Sequence, residues 1–181
     1  MQRLIAIVGA TCSGKTTLAR HLAERGCAQV ITTTTREPRA GEMQGRDYWF
    51  VDEEYFDALR EQGQLVEEAR FGGQSYGVTL EALCAAFEDA DDVVAVVTPD
   101  GMRALRRWCA RHGLAFRSVF LTVKASVLRR RLLRQRPDSA TRLRELLEQV
   151  RSWPTSATYD LILPGRLTAT AADEVLGKSV A

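Results

Sequence analysis

An α/β fold with a parallel sheet covered by helices on both faces is the fold class this sequence predicts, and three observations carry that expectation. Short apolar, β-branched runs recur at 4–10 (LIAIVGA), 30–34 (VITTT), 93–99 (VVAVVTP), 118–123 (SVFLTV) and 161–164 (LILP). Segments with apolar residues at helical spacing lie between most of them. The first run ends in a glycine-containing turn that opens directly into one of those segments. Continuous apolar runs, rather than alternating ones, mark strands buried on both faces, which is the situation of a parallel sheet.

The helical segments follow in order. Residues 16–26 (TTLARHLAERG) end on the stop signal Gly26, and residues 52–63 (DEEYFDALREQG) open on a capping Asp52 and end on Gly63. Residues 126–136 and 141–153 carry leucines at helical spacing. Residues 35–51 and 70–79, rich in glycine and polar groups, are expected to be irregular. With 181 residues, 45% of them hydrophobic, and neither an internal repeat nor a linker, the chain is expected to form one domain over residues 1–181.

Composition narrows the function classes. A net charge of +2 is too balanced for a general nucleic-acid or membrane-surface binder. The basic residues are almost all arginine; the lysines are Lys15, Lys124 and Lys178, which makes Lys15 conspicuous. Cys12, Cys27, Cys84 and Cys109 form no CxxC pair and are expected to be small packing residues in a reducing compartment. The N-terminal apolar run is too short for a signal segment or a membrane span, so a cytoplasmic location is expected, without a membrane or nucleic-acid partner. His21 and His112 lie in helical surroundings without a neighbouring acid or nucleophile and are expected to be bystanders.

Within LIAIVGATCSGKTTLA, Gly9, Gly14, Lys15 and Thr16 satisfy G-x-x-x-x-G-K-[ST] in the context that motif needs, an apolar strand before it and an amphipathic helix after it. Glycines there let backbone N–H groups cradle phosphate oxygens, and the helix starting near Thr16 adds its positive end. Lys15 is expected to reach the β- and γ-phosphates and Thr16 to ligand Mg²⁺, with Ser13 and Thr17 completing the contacts to ATP.

A phosphate loop serves GTPases, motors and small-molecule kinases alike. This chain is short for a motor and carries no NKxD-type sequence to read guanine in a GTPase. A small kinase needs a second anion site for its acceptor. Residues 32–48 (TTTTREPRAGEMQGRDY) crowd four threonines, three arginines and a tyrosine into a stretch too broken for a helix. A solvated loop, a nucleic-acid contact and a pocket for one small anion are all compatible with that composition; the position directly after the second apolar run suits the anion pocket.

The stretches TTTREPRAGEMQGRDYWFV (33–51) and LVEEARFGGQSYGV (65–78), at this distance after the phosphate loop, resemble the guanylate kinase family. The similarity runs almost without gaps from about residue 3 to 104 and more loosely to about 165. The resemblance implies an acceptor-binding segment at about 32–78, a lid at about 128–144, and phosphoryl transfer from ATP·Mg²⁺ to a nucleoside monophosphate, GMP or dGMP. It places the acceptor phosphate on Arg36, Arg39, Tyr48 and Tyr76, with Gly45 and Asp47 shaping the turn before Tyr48 and Arg46 a solvated loop charge. It puts Glu67 against the guanine N1–H and exocyclic amine, with Glu68 an ordinary surface acid, and Thr32 at the base. Lid arginines that would act in transfer fall on Arg131 and Arg142, with Arg134 or Arg136 in a third place; Pro137 lies in a stretch about four residues shorter than the family pattern.

The resemblance also has gaps. Where the family carries a D-x-D-x-Q-G strand end, this chain has Val96, Val97, Thr98, Pro99, Asp100 and Gly101, so Thr98 is the remaining polar candidate at the base, and the hydroxyl residue expected after Y-G is Val78. Ribose 1,5-bisphosphate kinases share the Y-G-V and lack the acidic strand end, although they lack the full TTR-x-P-R and D-Y elements. A kinase of another phosphomonoester, or a non-catalytic binding module that has kept its phosphate loop, are the alternatives.

Overall fold

Arg3–Gly9 (β1) runs through the middle of the molecule, and the rest of the chain is arranged around it. The computed structural model describes residues 1–135, 140–153, 159–165 and 170–177, with the backbone alone at 135 and 140–142. In chain order, β1 is followed by α1 (Lys15–Ala23), β2 (Ala28–Gln29), β3 (Thr33–Thr34), β4 (Trp49–Phe50) and α2 (Glu53–Glu61). Next come β5 (Leu65–Phe71), β6 (Gln74–Thr79), α3 (Leu80–Asp89), β7 (Asp92–Val96) and α4 (Pro99–Arg111). The last elements are β8 (Ala115–Thr122), α5 (Ala125–Gln135), α6 (Ala140–Ser152), β9 (Leu161–Pro164) and α7 (Thr170–Leu176).

The main sheet has the order β2-β7-β1-β8-β9, and every pairing in it is parallel. β1 explains the unbroken apolar run: Leu4, Ala6 and Val8 face a core built with α3 and α4, while Ile5 and Ile7 face one built with α1 and α7. Residues Leu4–Val8 are fully buried, so both faces of the strand must be apolar. A third, smaller cluster joins Ala10 of the phosphate loop to Leu128 and Leu132 of α5 and Leu146 of α6.

A second sheet, β4-β3-β6-β5, is attached beside the first. It divides the run expected as one strand at 30–34: Ala28–Gln29 pairs with β7, Val30 donates its N–H to the Val94 carbonyl at 2.9 Å, and Thr33–Thr34 joins the second sheet. The break has a polar cause, since the Thr34 hydroxyl leaves the apolar sheet to donate to the Ser75 carbonyl at 2.9 Å. The stretch 70–79 is likewise not irregular. β5 and β6 form an antiparallel hairpin in register Phe71↔Gln74, turned by Gly72 and Gly73, both at positive φ. Trp49–Phe50 adds a short strand inside 35–51.

Of the cysteines, Cys27 and Cys109 pack in the core as expected, whereas Cys84 is exposed and Cys12 sits in the phosphate loop. His21 pairs with Glu24 and His112 meets the Trp108 carbonyl, contacts local to their own helices. Among the described residues no helix is long and apolar enough to cross a membrane.

Candidate nucleotide-binding site

The donor loop connects β1 to α1. A Cβ on Gly9 would sit 2.6 Å from Ser13 Oγ and 3.1 Å from Leu121, so only glycine lets the loop close this tightly. Ser13 is buried, and its Oγ has no hydrogen-bond partner among the described residues. Gly14, at φ 107°, caps α1 without a side chain, so the N–H groups of the first turn stay available to an anion. Lys15 Nζ folds back over the loop and donates to the Gly9 carbonyl at 2.7 Å and the Ala10 carbonyl at 3.1 Å. Part of its stem remains exposed, but the ammonium is enclosed, and that burial pushes its pKa down to about 8 against the opposing influence of Cys12. Thr16 and Thr17 present exposed side chains at the start of α1.

In the second sheet the arginine-rich stretch folds into a charge cluster. The Arg36 guanidinium is nearly buried, donates from Nη2 to both Glu42 oxygens at 3.0 and 2.9 Å, and lies 5.2 Å from the centre of the Tyr48 ring. Arg39 stands 3.7 Å from Glu42 through Nη1, and its backbone N–H donates to the same carboxylate at 2.8 Å. Burial would raise the Glu42 pKa, but the Arg39 N–H and the Arg36 guanidinium hold it below the usual carboxylate range. Tyr48 and Tyr76 meet edge to face with ring centres 6.2 Å apart, and burial raises the Tyr48 pKa. Arg36, Arg39, Tyr48 and Tyr76 are thus brought together, and Arg36 and Tyr76 line a cleft of about 400 Å³ with Gln74 and Gly72. The turn before Tyr48 forms as expected: Asp47 accepts the Met43 N–H at 2.9 Å, Gly45 adopts φ 72°, and Arg46 remains an exposed loop charge paired with Asp47.

Glu67, on β5, is 5% exposed, and its side chain makes no hydrogen bond among the described residues. Burial, reinforced by the charges of Glu68 and Asp100, lifts its pKa to about 7. Its side chain rests on the first turn of α4, where a Cβ on Gly101 would come within 2.7 Å of Glu67 Cδ. Glu68 points outward and pairs with Arg60 at 2.7 Å. Such a carboxylate, largely buried and without a hydrogen-bond partner among the described residues, suits a ligand that brings two adjacent donors.

The guanylate kinase family matches residues 1–175. The chain belongs to the guanylate kinase family. It is 38% identical over 161 residues to a guanylate kinase of Nitrobacter winogradskyi, covering 85% of this chain and 71% of that protein. It is 36% identical over 150 residues to a guanylate kinase of Deinococcus radiodurans, covering 82% of this chain and 62% of that protein, so it spans less than two thirds of that relative's length. The crystal structure of guanylate kinase from Anaplasma phagocytophilum superposes with a TM-score of 0.74 at 24% identity, covering 97% of this chain and 83% of that one, which establishes the shared fold.

Against the guanylate kinase family pattern, the changed positions have structural explanations. Val78, opposite Glu67 in the hairpin register, is fully buried in the core. The Thr98 hydroxyl accepts the Gly101 N–H at 3.0 Å as the N-cap of α4, while Thr98 also lines a cleft of about 520 Å³ with Glu68, Asp100 and Trp153. Asp100 is tied to Arg103. Thr32 stands where the sheets meet, its carbonyl accepting the Trp49 N–H at 2.9 Å. Arg131, expected in a lid, lies on α5 and donates to the carbonyls of Cys12 (3.1 Å), Ser13 (3.4 Å) and Gly165 (3.0 Å). Arg134 lies on an open basic face with Arg129 and Arg130. Arg136 and Pro137 fall outside the described residues, as does the Arg142 side chain. Sequence reading passed over Glu42 and Gly101. Glu42 had a signal, an acid three residues after Arg39 and six after Arg36; Gly101 had none without knowing what packs on it.

Proposed function

We propose that this chain transfers the γ-phosphoryl group of ATP to the phosphate of a guanine nucleoside monophosphate, GMP or dGMP. The buried, unpaired Glu67 carboxylate carries the reading, because leaving it without donors costs on the order of 1–3 kcal/mol, and guanine offers a paired N–H and NH₂ where adenine does not. Arg36 and Arg39 would take the acceptor phosphate as paired forks, with Tyr48 and Tyr76 closing the shell and Glu42 keeping both arginines in place until the ligand arrives. Gly9, Ser13, Gly14, Lys15, Thr16 and Thr17 would hold the triphosphate. The bond from the β–γ bridging oxygen to the γ-phosphorus breaks as an acceptor phosphate oxygen bonds to that phosphorus, with no covalent enzyme intermediate. The chain contributes alignment and positive charge, with lid arginines such as Arg142 as candidates beside Lys15.

Mg²⁺ fits the donor set. The exposed Thr16 hydroxyl is the protein ligand on offer, since Val96 and Thr98 replace strand-end acids and Asp100 is paired, and Mg²⁺ commonly keeps several waters and phosphate oxygens. When bound, the ion would neutralise charge on the β- and γ-phosphates. A cytoplasmic location accords with this chemistry, which uses cytoplasmic nucleotides.

The test is a coupled assay of ADP release with GMP, dGMP, IMP, AMP, dTMP and ribose 1,5-bisphosphate. GMP and dGMP should give the highest kcat/KM, with weaker rejection of IMP than two strand-end carboxylates would enforce. Preference for the sugar bisphosphate, or no reaction with any guanine nucleotide, would remove Glu67 from base recognition.

A further inference from the structure

Gln149 was not among the residues the sequence singled out, yet it is one of the few buried polar side chains and it touches the phosphate loop. It lies on α6, 7% exposed, and its Oε1 accepts the backbone N–H of Thr11 at 2.8 Å. An N–H can only donate, so this contact fixes which end of the amide faces the loop. The Ala10–Thr11 peptide is planar and trans, so holding the Thr11 N–H toward α6 turns the Ala10 carbonyl the opposite way. There that carbonyl accepts the Ser13 N–H at 3.0 Å and Lys15 Nζ at 3.1 Å. The chain of contacts therefore runs from α6 through one peptide group to the ammonium.

We propose that Gln149 is a positioning residue for the donor site, acting through the Ala10–Thr11 peptide to place Lys15 and close the phosphate loop. Arg131 complements it. By drawing the Ser13 carbonyl outward, Arg131 aims the Gly14 N–H inward. Helices α5 and α6 thus grip the loop from outside, one by its carbonyls and the other by an amide, around the apolar contact of Ala10 with Leu128, Leu132 and Leu146. One turn before Gln149, Glu145 abuts the tip of the acceptor hairpin, where a Cβ on Gly72 would come within 3.2 Å of its Oε1. A single helix therefore touches both the donor loop and the acceptor segment. The proposal rests on the kinase reading for its kinetic readouts, but its binding readout does not.

The experiment compares the parent with Gln149→Leu, which removes the acceptor oxygen, and Gln149→Glu, which keeps it. Affinity for ADP is measured by calorimetry without acceptor, and KM for ATP and for GMP, with the pH profile of kcat/KM for ATP, by the coupled assay. Gln149→Leu should weaken ADP binding and raise the ATP KM about tenfold, the worth of one hydrogen bond, with the GMP KM within about twofold. Gln149→Glu should restore ADP affinity to within about threefold and move the alkaline limb of the profile to higher pH, because its charge lies near Lys15. If Gln149→Leu does not fold, Gln149→Asn, which withdraws the amide by one methylene, takes its place with the same expectation. Parent-like ADP affinity in Gln149→Leu, an equal rise in both KM values, or a tenfold loss in Gln149→Glu would each overturn the proposal. A parent that binds ADP but phosphorylates no acceptor would sink the kinase reading and leave this inference to be decided by the ADP affinities.

Discussion

Gly101 has no left-handed backbone to explain it; it is a glycine because the Glu67 side chain lies on it, within 2.7 Å of where a Cβ would be. Gly101→Ala should therefore displace the carboxylate while leaving the donor loop untouched. We expect the KM for GMP to rise at least about tenfold, the ATP KM to stay within about twofold, and discrimination against IMP to shrink. Steady-state kinetics with both acceptors checks this, and an unchanged GMP KM would mean that Glu67 does not read the base. Cys12 presents the opposite case. It is the non-glycine residue held at positive φ, 62°, among the described residues, a conformation that costs an L side chain on the order of 1 kcal/mol. Cys12→Gly should raise Tm by about 2–4 °C, as read by calorimetry, in a chain of this size. No rise would show that contacts of the thiol, together with the entropy a glycine adds to the unfolded chain, offset the strain.

At the scale of elements, legibility in the sequence followed burial. β1, β7 and the second half of β8 could be read because a strand covered on both faces has to be apolar, as Leu4–Val8 are, and the edge strand β9 was visible by its apolar run although Ile162 is exposed. β3, β5 and β6 could not. Their side chains serve a polar site, so Thr33–Thr34 looked like the tail of a core strand, and Gln74–Thr79 looked like loop, even though Gly72–Gly73 marked the hairpin turn. The site divides in the same way. The candidates with a sequence pattern were Gly9 to Thr16, in a motif of fixed spacing, and Arg36, Arg39 and Tyr48, in an arginine-rich stretch; Glu42 pairs with arginines of that same loop, whereas Gly101 and Gln149 touch other elements and are ordinary in their own segments. Thr98 shows how an element can claim a residue expected at the substrate. Its hydroxyl caps α4. Thr98→Ala should therefore lower stability by about 1 kcal/mol in urea unfolding, with kcat/KM for GMP within about threefold of the parent. A large kinetic loss at unchanged stability would return Thr98 to the base pocket.

At the scale of the whole molecule, two groups among the described residues are shifted toward neutrality from opposite sides, Glu67 to about 7 and Lys15 to about 8, and both shifts come first from burial. On the proposed reading, ionised Glu67 would accept from guanine, so kcat/KM for GMP should rise with pH through about 7. Protonated Lys15 would meet phosphate, so kcat/KM for ATP should fall above about 8. The same burial sets a stability trend. A carboxyl whose pKa is raised in the folded state holds its proton there while the unfolded chain releases it, so stability declines with rising pH from the ordinary carboxyl value of 4.5 to about 7 and then levels off. The decline attributable to Glu67 is on the order of 3 kcal/mol. Glu67→Gln removes the titrating proton, so its unfolding free energy should exceed that of the parent at pH 8 and approach it near pH 5. In the same variant GMP turnover should collapse and the acid limb of the GMP profile should disappear, since the amide presents a donor where guanine also presents one. Urea melts at the two pH values, set beside the two kinetic profiles, test both consequences in one protein. A variant no more stable than the parent at pH 8 would show that the carboxylate is solvated or paired in solution, and an acid limb that survives the substitution would assign the titration to a different group.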